Sequence, residues 1–329
     1  MEDKKQTIVG GQPTGDLTDS GNYIHNSDGT FGSKNDAAVE NNSGEYIDWD
    51  NLEFGELSDE DIINMINNSE RKYKNVEEMS TQELILEIKE CEKTLEKHFD
   101  KKDFKKLFPN DLRIKCINFR YLKEIIEKFN FGLDGTSRIQ WYGRFGDYSS
   151  VLANVKPVCE TLWERDSEGF ITGWKLVAKN PCERIHINAK QFNALTLDGL
   201  KKSVKRQIDT GFKVDVEEEY YAAATLIHEM GHVLCHKILM DNDTDFFKEV
   251  EHTENIRKEI FEEYKKMDQN KNVLKTYDDF INECAEYGRD NGSTEWFAEI
   301  FKSLCCGKPT DSAKAMGIWL KKKGYMKED

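Results

Sequence analysis

The segment TLIHEMGHVL, residues 225–234, restricts the fold of this chain more than any other. Its histidines, His228 and His232, are four residues apart, and Glu229 follows the first of them. Residues four apart lie on one face of an α-helix, one turn above each other. Two imidazole nitrogens arranged in this way can bind one metal ion, with the neighbouring carboxylate beside it. The segment therefore predicts a helix that carries part of a metal site.

The residues around this motif indicate that the helix is buried. The preceding stretch, YYAAATLI, is mostly small or apolar, and Gly231 lies inside the motif. A glycine within a helix costs about 1 kcal/mol relative to alanine, so its presence indicates close approach by another element. The alternative is a core helix whose histidines are only hydrogen-bonded. That alternative is less favoured because several polar partners would have to be buried with the histidines.

A catalytic metal site needs a third protein ligand. His236 extends the histidine series, but it is eight residues from His228. Eight residues of helix span about 12 Å, which is too far for both side chains to reach one ion. The longer pattern H-E-x-x-H-x-x-G-x-x-H is also not met, because Cys235 stands at its glycine position. We therefore expect His236 to lie at the surface or behind the ligands.

The segment EYGRDNGSTEWFAEIF, residues 286–301, contains a better candidate. Glu295 and Glu299 are four residues apart on a predicted helix whose other residues are mostly aromatic or apolar. Two carboxylates on such a helix are costly to bury without a cation. We predict Glu295 as the third ligand, and Glu299 as the acceptor for the other ring nitrogen of one ligand histidine. The alternative is a pair of solvated carboxylates.

The blocks HEMGH and YGRDNGSTEWFAEIF together resemble the gluzincin metallopeptidases, and most of all the catalytic domain of the anthrax lethal factor type. The resemblance covers residues 180–305 and is close only in these two blocks. It implies a zincin-like fold, a zinc ion and peptide-bond hydrolysis. By match to the family motif, His228, His232 and Glu295 would be the zinc ligands. Glu229 would be the general base, and Tyr287 would be the oxyanion donor.

A second gluzincin group, the repressor-cleaving metallopeptidases of mobile elements, has a similar H-E-x-G-H motif and a Glu-rich Phe-Ala helix. Its interval between the second histidine and the glutamate is shorter than the one from His232 to Glu295, so it ranks second. The spacing from Tyr287 to Glu295 is also longer than in the lethal factor type.

Composition divides the chain into three parts. Residues 1–45 are rich in Gly, Asn, Asp, Ser and Thr and predict a flexible polar tail. Residues 46–135 predict a helical region, and residues 136–329 the metallopeptidase domain. In that domain, alternating strands at Gly169–Ala178 and Glu183–Phe192 precede a run of helices. The predicted fold class is therefore α+β, a zincin-like domain with a small mixed sheet and a helical bundle, preceded by a helical segment and the tail.

Individual helices follow from periodicity and capping signals. Ser80 and Glu83 form a predicted capping box at the start of a helix over Met79–Phe99. Asp166–Gly169 fits a hairpin turn before the first strand. The other predicted helices are Leu57–Asn67, Leu112–Phe129, Leu197–Ile208, Val216–Met240, Thr244–Lys266, Asp278–Tyr287 and Thr294–Cys305.

Charge and cysteine usage exclude several classes of protein. The net charge of −15 argues against binding to nucleic acid or to anionic membranes, both of which need a basic surface. No run of 18 apolar residues is present, and MEDKKQTIVGGQPTGD at the N-terminus lacks the apolar core of a secretory signal. The eight cysteines contain no C-x-x-C pair and predict free thiols. The expected location is the cytoplasm, or the virion if the chain is phage-encoded.

The expected function is a zinc-dependent endopeptidase that acts on a peptide or protein, with a docking partner for the N-terminal tail. Its substrate would pair with an edge strand, predicted at Ile185–Ala189, although an ordinary core strand there is equally favoured. The first rival is a non-catalytic structural or interaction protein, such as a phage particle component, on a zincin scaffold. The second is a helical interaction module that zinc only holds together. Glu229 and Tyr287 favour the enzyme because a structural zinc needs neither.

Overall fold

The computed structural model describes residues 73–108, 111–142, 153–188, 196–267 and 276–327, which all belong to one compact unit. The predicted tail and the predicted helix Leu57–Asn67 lie outside these residues. Within them, the chain is a mixed α+β protein with a small sheet and many helices. The predicted fold class is confirmed at this level.

The helices of the described residues begin mostly where the sequence offers a cap. In chain order they are α1 (Thr81–Leu95), α2 (Leu112–Lys128), α3 (Leu197–Asp209), α4 (Ala224–Asp241), α5 (Glu249–Met267), α6 (Tyr277–Asn282), α7 (Glu286–Asp290), α8 (Ser293–Cys305) and α9 (Asp311–Lys322). The capping box of α1 is present, since Ser80 accepts from the Glu83 N–H and Glu83 accepts from the Ser80 N–H. Asp111 and Thr196 cap α2 and α3 through their side chains.

Three strands form a mixed sheet in the order β1–β3–β2. They are β1 (Arg138–Tyr142), β2 (Ala153–Arg165) and β3 (Ile171–Asn188). β1 runs parallel to the end of β3, and β2 runs antiparallel to it. The predicted turn at Asp166–Gly169 is confirmed, because Asp166 Oδ1 accepts from the N–H of Glu168 and of Phe170, both at 2.9 Å. Gly169 has φ +87°, a conformation that favours glycine.

The two predicted strands are one continuous strand, and the predicted edge at Ile185–Ala189 is wrong. Ile185 lies between Ile139 of β1 and Val155 of β2, so this part of β3 is paired on both sides. Residue 189 itself lies outside the described residues. The sequence hides the continuity because Pro181, which has no N–H to donate to a ladder, stands between the two predicted strands. Among the described residues, β2 has a strand partner on one side only along its whole length, and so does β3 over residues 171–183.

Two predicted helices have different bounds in the structure. The predicted helix over Val216–Met240 begins only at Ala224, after the 3₁₀ turn Glu218–Tyr220. The predicted helix over Asp278–Tyr287 is two helices, α6 and α7, separated by an extended residue, Ala285 (φ −63°, ψ 162°). The break arises because the next two N–H groups donate to the backbone of the segment 211–212 instead of to the preceding turn.

The close approach predicted at Gly231 is confirmed. A Cβ atom added there would lie 2.8 Å from Ala298 Cα, so α4 and α8 cross with almost no side chain between them. The residues of α8 on either side, Trp296, Phe297, Ile300 and Phe301, are fully buried. The N-terminal helices pack on the same core, with the rings of Phe129 and Phe301 5.0 Å apart.

The remaining sequence predictions concern cysteines and membranes. All eight cysteines are free thiols, and six of them are buried. In the described part of the chain, no helix combines the length and the apolar character needed to cross a bilayer.

Substitution of Gly231 tests the crossing of α4 and α8. We expect Gly231→Ala to lower the free energy of unfolding by about 1–3 kcal/mol, because the added methyl group would force two backbones apart. Gly317→Ala is the matched control, since its Cβ atom would meet only the flexible end of Leu304, 3.1 Å away. The control should change stability by less than about 1 kcal/mol in either direction. Urea unfolding measures both, and equal effects would contradict the tight crossing.

Candidate metal centre

Three helices bring the predicted site residues together. α4 carries His228, Glu229 and His232, α8 carries the two predicted carboxylates, and the short α7 carries Tyr287. α8 begins at Ser293, whose hydroxyl donates to the Val250 carbonyl of α5 at 2.9 Å. Glu295 therefore lies in the first turn of α8, where the positive end of the helix dipole stabilises a carboxylate.

The three predicted metal ligands form one cluster. Ligand atoms of His228, His232 and Glu295 all lie within 4.8 Å of one another. Glu295 Oε2 is 3.1 Å from Nε2 of His228 and 3.5 Å from Nε2 of His232. Ligands placed at 2.0–2.1 Å from an ion with tetrahedral angles are about 3.3 Å apart. The observed separations therefore fit a single ion of this size.

The predicted role of Glu299 is also supported by distance. Its Oε1 atom lies 2.9 Å from Nδ1 of His228, although the angle departs from that of a standard hydrogen bond. Glu299 is fully buried. Burial by itself raises the pKa of this carboxyl, but the charges of Lys302 and Lys213 outweigh that effect and hold its pKa well below the usual range. An ionised carboxylate can only accept, so this contact is favourable when His228 carries a hydrogen on Nδ1.

A hydrogen on Nδ1 of His228 would make the cluster favour a cation. With its hydrogen on Nδ1, a neutral His228 ring has its lone pair on Nε2, facing a lone pair of the Glu295 carboxylate. Two lone pairs 3.1 Å apart repel each other unless a positive charge lies between them. A proton or a metal ion can supply that charge. Two imidazole nitrogens and one carboxylate oxygen are the donors that zinc binds in catalytic sites, and other transition metals accept the same donors.

Two lysines that the sequence analysis missed complete this site. Lys302 Nζ donates to both carboxylate oxygens of Glu299 at 2.8 Å and is itself 4% exposed. Lys213 Nζ lies 3.4 Å from Glu299 Oε1 and 3.5 Å from the centre of the Tyr287 ring. The position of Lys302, three residues after a buried glutamate on a helix, was visible in the sequence. Lys213 gave no such signal, because it lies on a separate segment.

The pKa values of the two carboxyl groups nearest the cavity are shifted in opposite directions. Burial raises the pKa of Glu229 to about 7, and the charge of Glu295 acts in the same direction. Burial also favours a higher pKa for Glu295, but its contacts with His228 and His232 outweigh this and hold its pKa below the usual range. Glu295 is thus the ionised ligand, and Glu229 is a carboxyl group that can take up a proton near neutral pH.

The break between α6 and α7 places Tyr287 beside the same cavity. Its N–H donates to the Phe212 carbonyl at 3.1 Å, which ties α7 to the segment before α4. Gly288 lets α7 lie against α8, since a Cβ atom there would be 3.0 Å from Glu299 Cβ. The ring of Tyr287 lies 5.9 Å from that of His228. Burial, and then the charges of Glu295 and Glu229, raise the pKa of this phenol, so it carries its proton.

One cavity of about 230 Å³ is lined by His228, Glu229, His232, Tyr287 and Glu295. The start of β2, residues 153–155, forms another part of its wall. His236 also lines this cavity. We expected it at the surface or behind the ligands, and the surface position is wrong because His236 is only 6% exposed. Its Nδ1 lies 3.1 Å from the Pro181 carbonyl and its Nε2 3.2 Å from Glu249. Among the described residues, His236 is not part of the metal-ligand cluster.

No family model, curated protein or solved structure matches this chain. The likeness to gluzincins therefore rests on the two sequence blocks.

Substitution of the buried lysine tests the charge balance behind the ligands. We expect Lys302→Met to lower the free energy of unfolding by about 3–5 kcal/mol, because it leaves Glu299 charged and buried with the more distant Lys213 as its remaining lysine partner. Lys314→Met is the matched control: its ion pair with Asp311 is also three residues apart on a helix, but it is half exposed. The control should change stability by less than about 0.5 kcal/mol. If both variants unfold at the same urea concentration, Lys302 does not balance Glu299.

Proposed function

We propose that this protein is a zinc-dependent endopeptidase of the gluzincin type. The observation that carries the proposal is the convergence of three metal-ligating side chains with Glu229 and Tyr287 on one cavity. A site that only holds helices together needs neither a buried carboxyl group nor a phenol beside the ligands, and it is usually closed by a fourth protein ligand. The described residues offer three ligands, which is the number typical of a catalytic site.

In this proposal, His228, His232 and Glu295 hold the zinc ion. When bound, zinc acts as a Lewis acid on the carbonyl group to be attacked and lowers the pKa of water toward neutrality. Glu299 keeps the His228 ring oriented by accepting from its Nδ1, and such partners contribute to metal affinity.

Glu229 is the general base and then the general acid. Its carboxylate, which lies 5% exposed on the cavity wall, takes one proton from the attacking water as the new C–O bond forms. It then delivers this proton to the nitrogen of the leaving amine as the C–N bond breaks. The buried environment that raises its pKa to about 7 suits both steps, because a group of that pKa accepts and releases a proton near neutral pH.

Tyr287 stabilises the oxyanion that develops on the attacked carbonyl oxygen. Its raised pKa keeps the phenol protonated, so it can donate a hydrogen bond. Lys213, above the ring, restricts the orientation of the phenol and adds a positive charge at the same side of the cavity. Removing one such donor from an oxyanion site typically costs a factor of about 10² to 10³ in kcat.

The substrate binds as an extended chain along β2. Residues 153–155 line the cavity, and β2 pairs only with β3 among the described residues. Its other edge therefore presents backbone groups to an added strand. This replaces the edge predicted at Ile185–Ala189, where β3 is paired on both sides.

Cleavage of a peptide library tests the proposed function. Full-length protein with one zinc ion per chain should cleave peptide bonds, and Glu229→Gln should lower kcat/KM by about 10² to 10⁴ because it removes the proton carrier. Glu229→Gln should still bind zinc, since the ligands are unchanged. Glu90→Gln, on the exposed surface of α1, serves as the control and should cleave as the natural sequence does. Cleavage by Glu229→Gln at the original rate would sink the proposal, as would zinc-loaded protein that cleaves no peptide.

A further inference from the structure

We propose that the substrate cleft continues along β2 to an aromatic surface on the β2–β3 hairpin, and that this surface binds an apolar side chain of the substrate. The aromatic surface consists of Trp163, Trp174 and Phe247. The bound side chain lies about eight to ten residues on the N-terminal side of the cleaved bond. This inference rests on the proposed peptidase function and specifies its substrate class: a long, extended polypeptide segment with an apolar residue far from the bond.

The three aromatic side chains form one exposed group. Trp163, Trp174 and Phe247 are 58%, 51% and 64% exposed. Trp163 and Trp174 are direct partners across β2 and β3, so their side chains project from the same face of the sheet. The rings of Trp174 and Phe247 are 5.0 Å apart and nearly perpendicular. Exposed large side chains are common singly, but a contiguous aromatic group in a chain with 33% charged residues indicates a binding surface.

This aromatic surface lies on the same side of the sheet as the cavity. The ring of Phe247 packs against Trp174 on one face of the sheet. Glu249 lines the cavity and follows Phe247 by two residues. The start of α5 thus borders both the cavity and the aromatic surface.

The unpaired edge of β2 connects the two sites. β2 begins with residues 153–155 at the cavity and reaches Trp163 eight to ten residues later (163 − 155 = 8 and 163 − 153 = 10). At about 3.3 Å per residue, this is roughly 26–33 Å of strand. A peptide added antiparallel to β2, which is the more stable pairing, runs toward its own N-terminus as β2 runs from the cavity to Trp163. The apolar residue is therefore on the N-terminal side of the cleaved bond.

Charge argues against a second copy of this chain as the occupant. Each copy carries a net charge of −15, so two copies repel each other at low ionic strength. A substrate segment has no such constraint, and it is already held in register by the edge of β2. Aromatic side chains in the centre of an interface often contribute more than tenfold each to affinity.

The test uses the full-length, zinc-loaded protein and a random library of 20-residue peptides, with cleavage sites read by mass spectrometry. The variants are Trp163→Ser/Trp174→Ser and, separately, Phe247→Ser. The control is Ile318→Ser, which removes an exposed apolar side chain from α9. Zinc content and thermal unfolding are compared for every variant, because these residues are exposed and their substitution should leave both unchanged.

We expect peptides cleaved by the natural sequence to be enriched in aromatic or large aliphatic residues eight to ten positions N-terminal to the bond. The double variant should lose this enrichment, and its kcat/KM for a long peptide of that kind should fall by about tenfold. The same peptide shortened to five residues before the bond should be cleaved equally by the double variant, by Ile318→Ser and by the natural sequence. Phe247→Ser should show the same pattern as the double variant.

Other outcomes would overturn the inference. If short peptides are cleaved but no enrichment appears, the aromatic surface does not bind substrate, while the peptidase function stands. If neither short nor long peptides are cleaved, the proposed function fails and this inference fails with it. Sedimentation that shows a dimer only with both tryptophans present would assign the surface to a second copy. Hydrogen exchange in residues 1–72 that speeds up only in the double variant would assign it to the chain's own N-terminal segment.

Discussion

The crossing of α4 and α8 at Gly231 and Ala298 determines the distance between the two halves of the metal-ligand cluster. Because Gly231 has no side chain, the backbones of α4 and α8 lie so close that one added methyl group would clash with Ala298. His228 and His232 lie on either side of this contact on α4, and Glu295 lies one turn from it on α8. The histidine nitrogens and the carboxylate oxygen therefore meet at 3.1–3.5 Å. A larger residue at position 231 would push α4 and α8 apart, and this would separate the ligands and disturb the packing of the core.

The polar groups behind the ligands are buried as a balanced set. Glu299 is fully buried, and Lys302 and Lys213 supply the positive charges that keep it ionised. When His228 carries its hydrogen on Nδ1, 2.9 Å from this ionised carboxylate, Nε2 is left to bind a metal ion. Lys213 also contacts the ring of Tyr287, so one cation connects the ligand helix with the proposed oxyanion donor. Charge balance and metal binding thus depend on the same few side chains.

The sequence predicted which side chains come together on α4 and α8 because helical spacing converts directly into geometry. Positions four apart on α4 and α8 place the ligands and Glu299 on facing surfaces, and the glycine in the motif indicated where the helices cross. Sequence could not predict groups positioned by long-range contacts. Lys213 reaches Glu299 from a separate segment, and Tyr287 is placed by backbone bonds to residues 211–212. The edge strand at Ile185 was wrong for the same reason, since pairing with β1 depends on residues far away along the chain.

Anomalous X-ray scattering at the zinc absorption edge, from crystals of the full-length protein grown with zinc, tests the central claim most directly. The claim is that one metal ion bound by His228, His232 and Glu295 organises this cavity. It predicts a single strong peak about 2.0–2.2 Å from Nε2 of both histidines and from a carboxylate oxygen of Glu295. A strong peak between His236 and Glu249 instead, or no peak in the cavity at all, would contradict it.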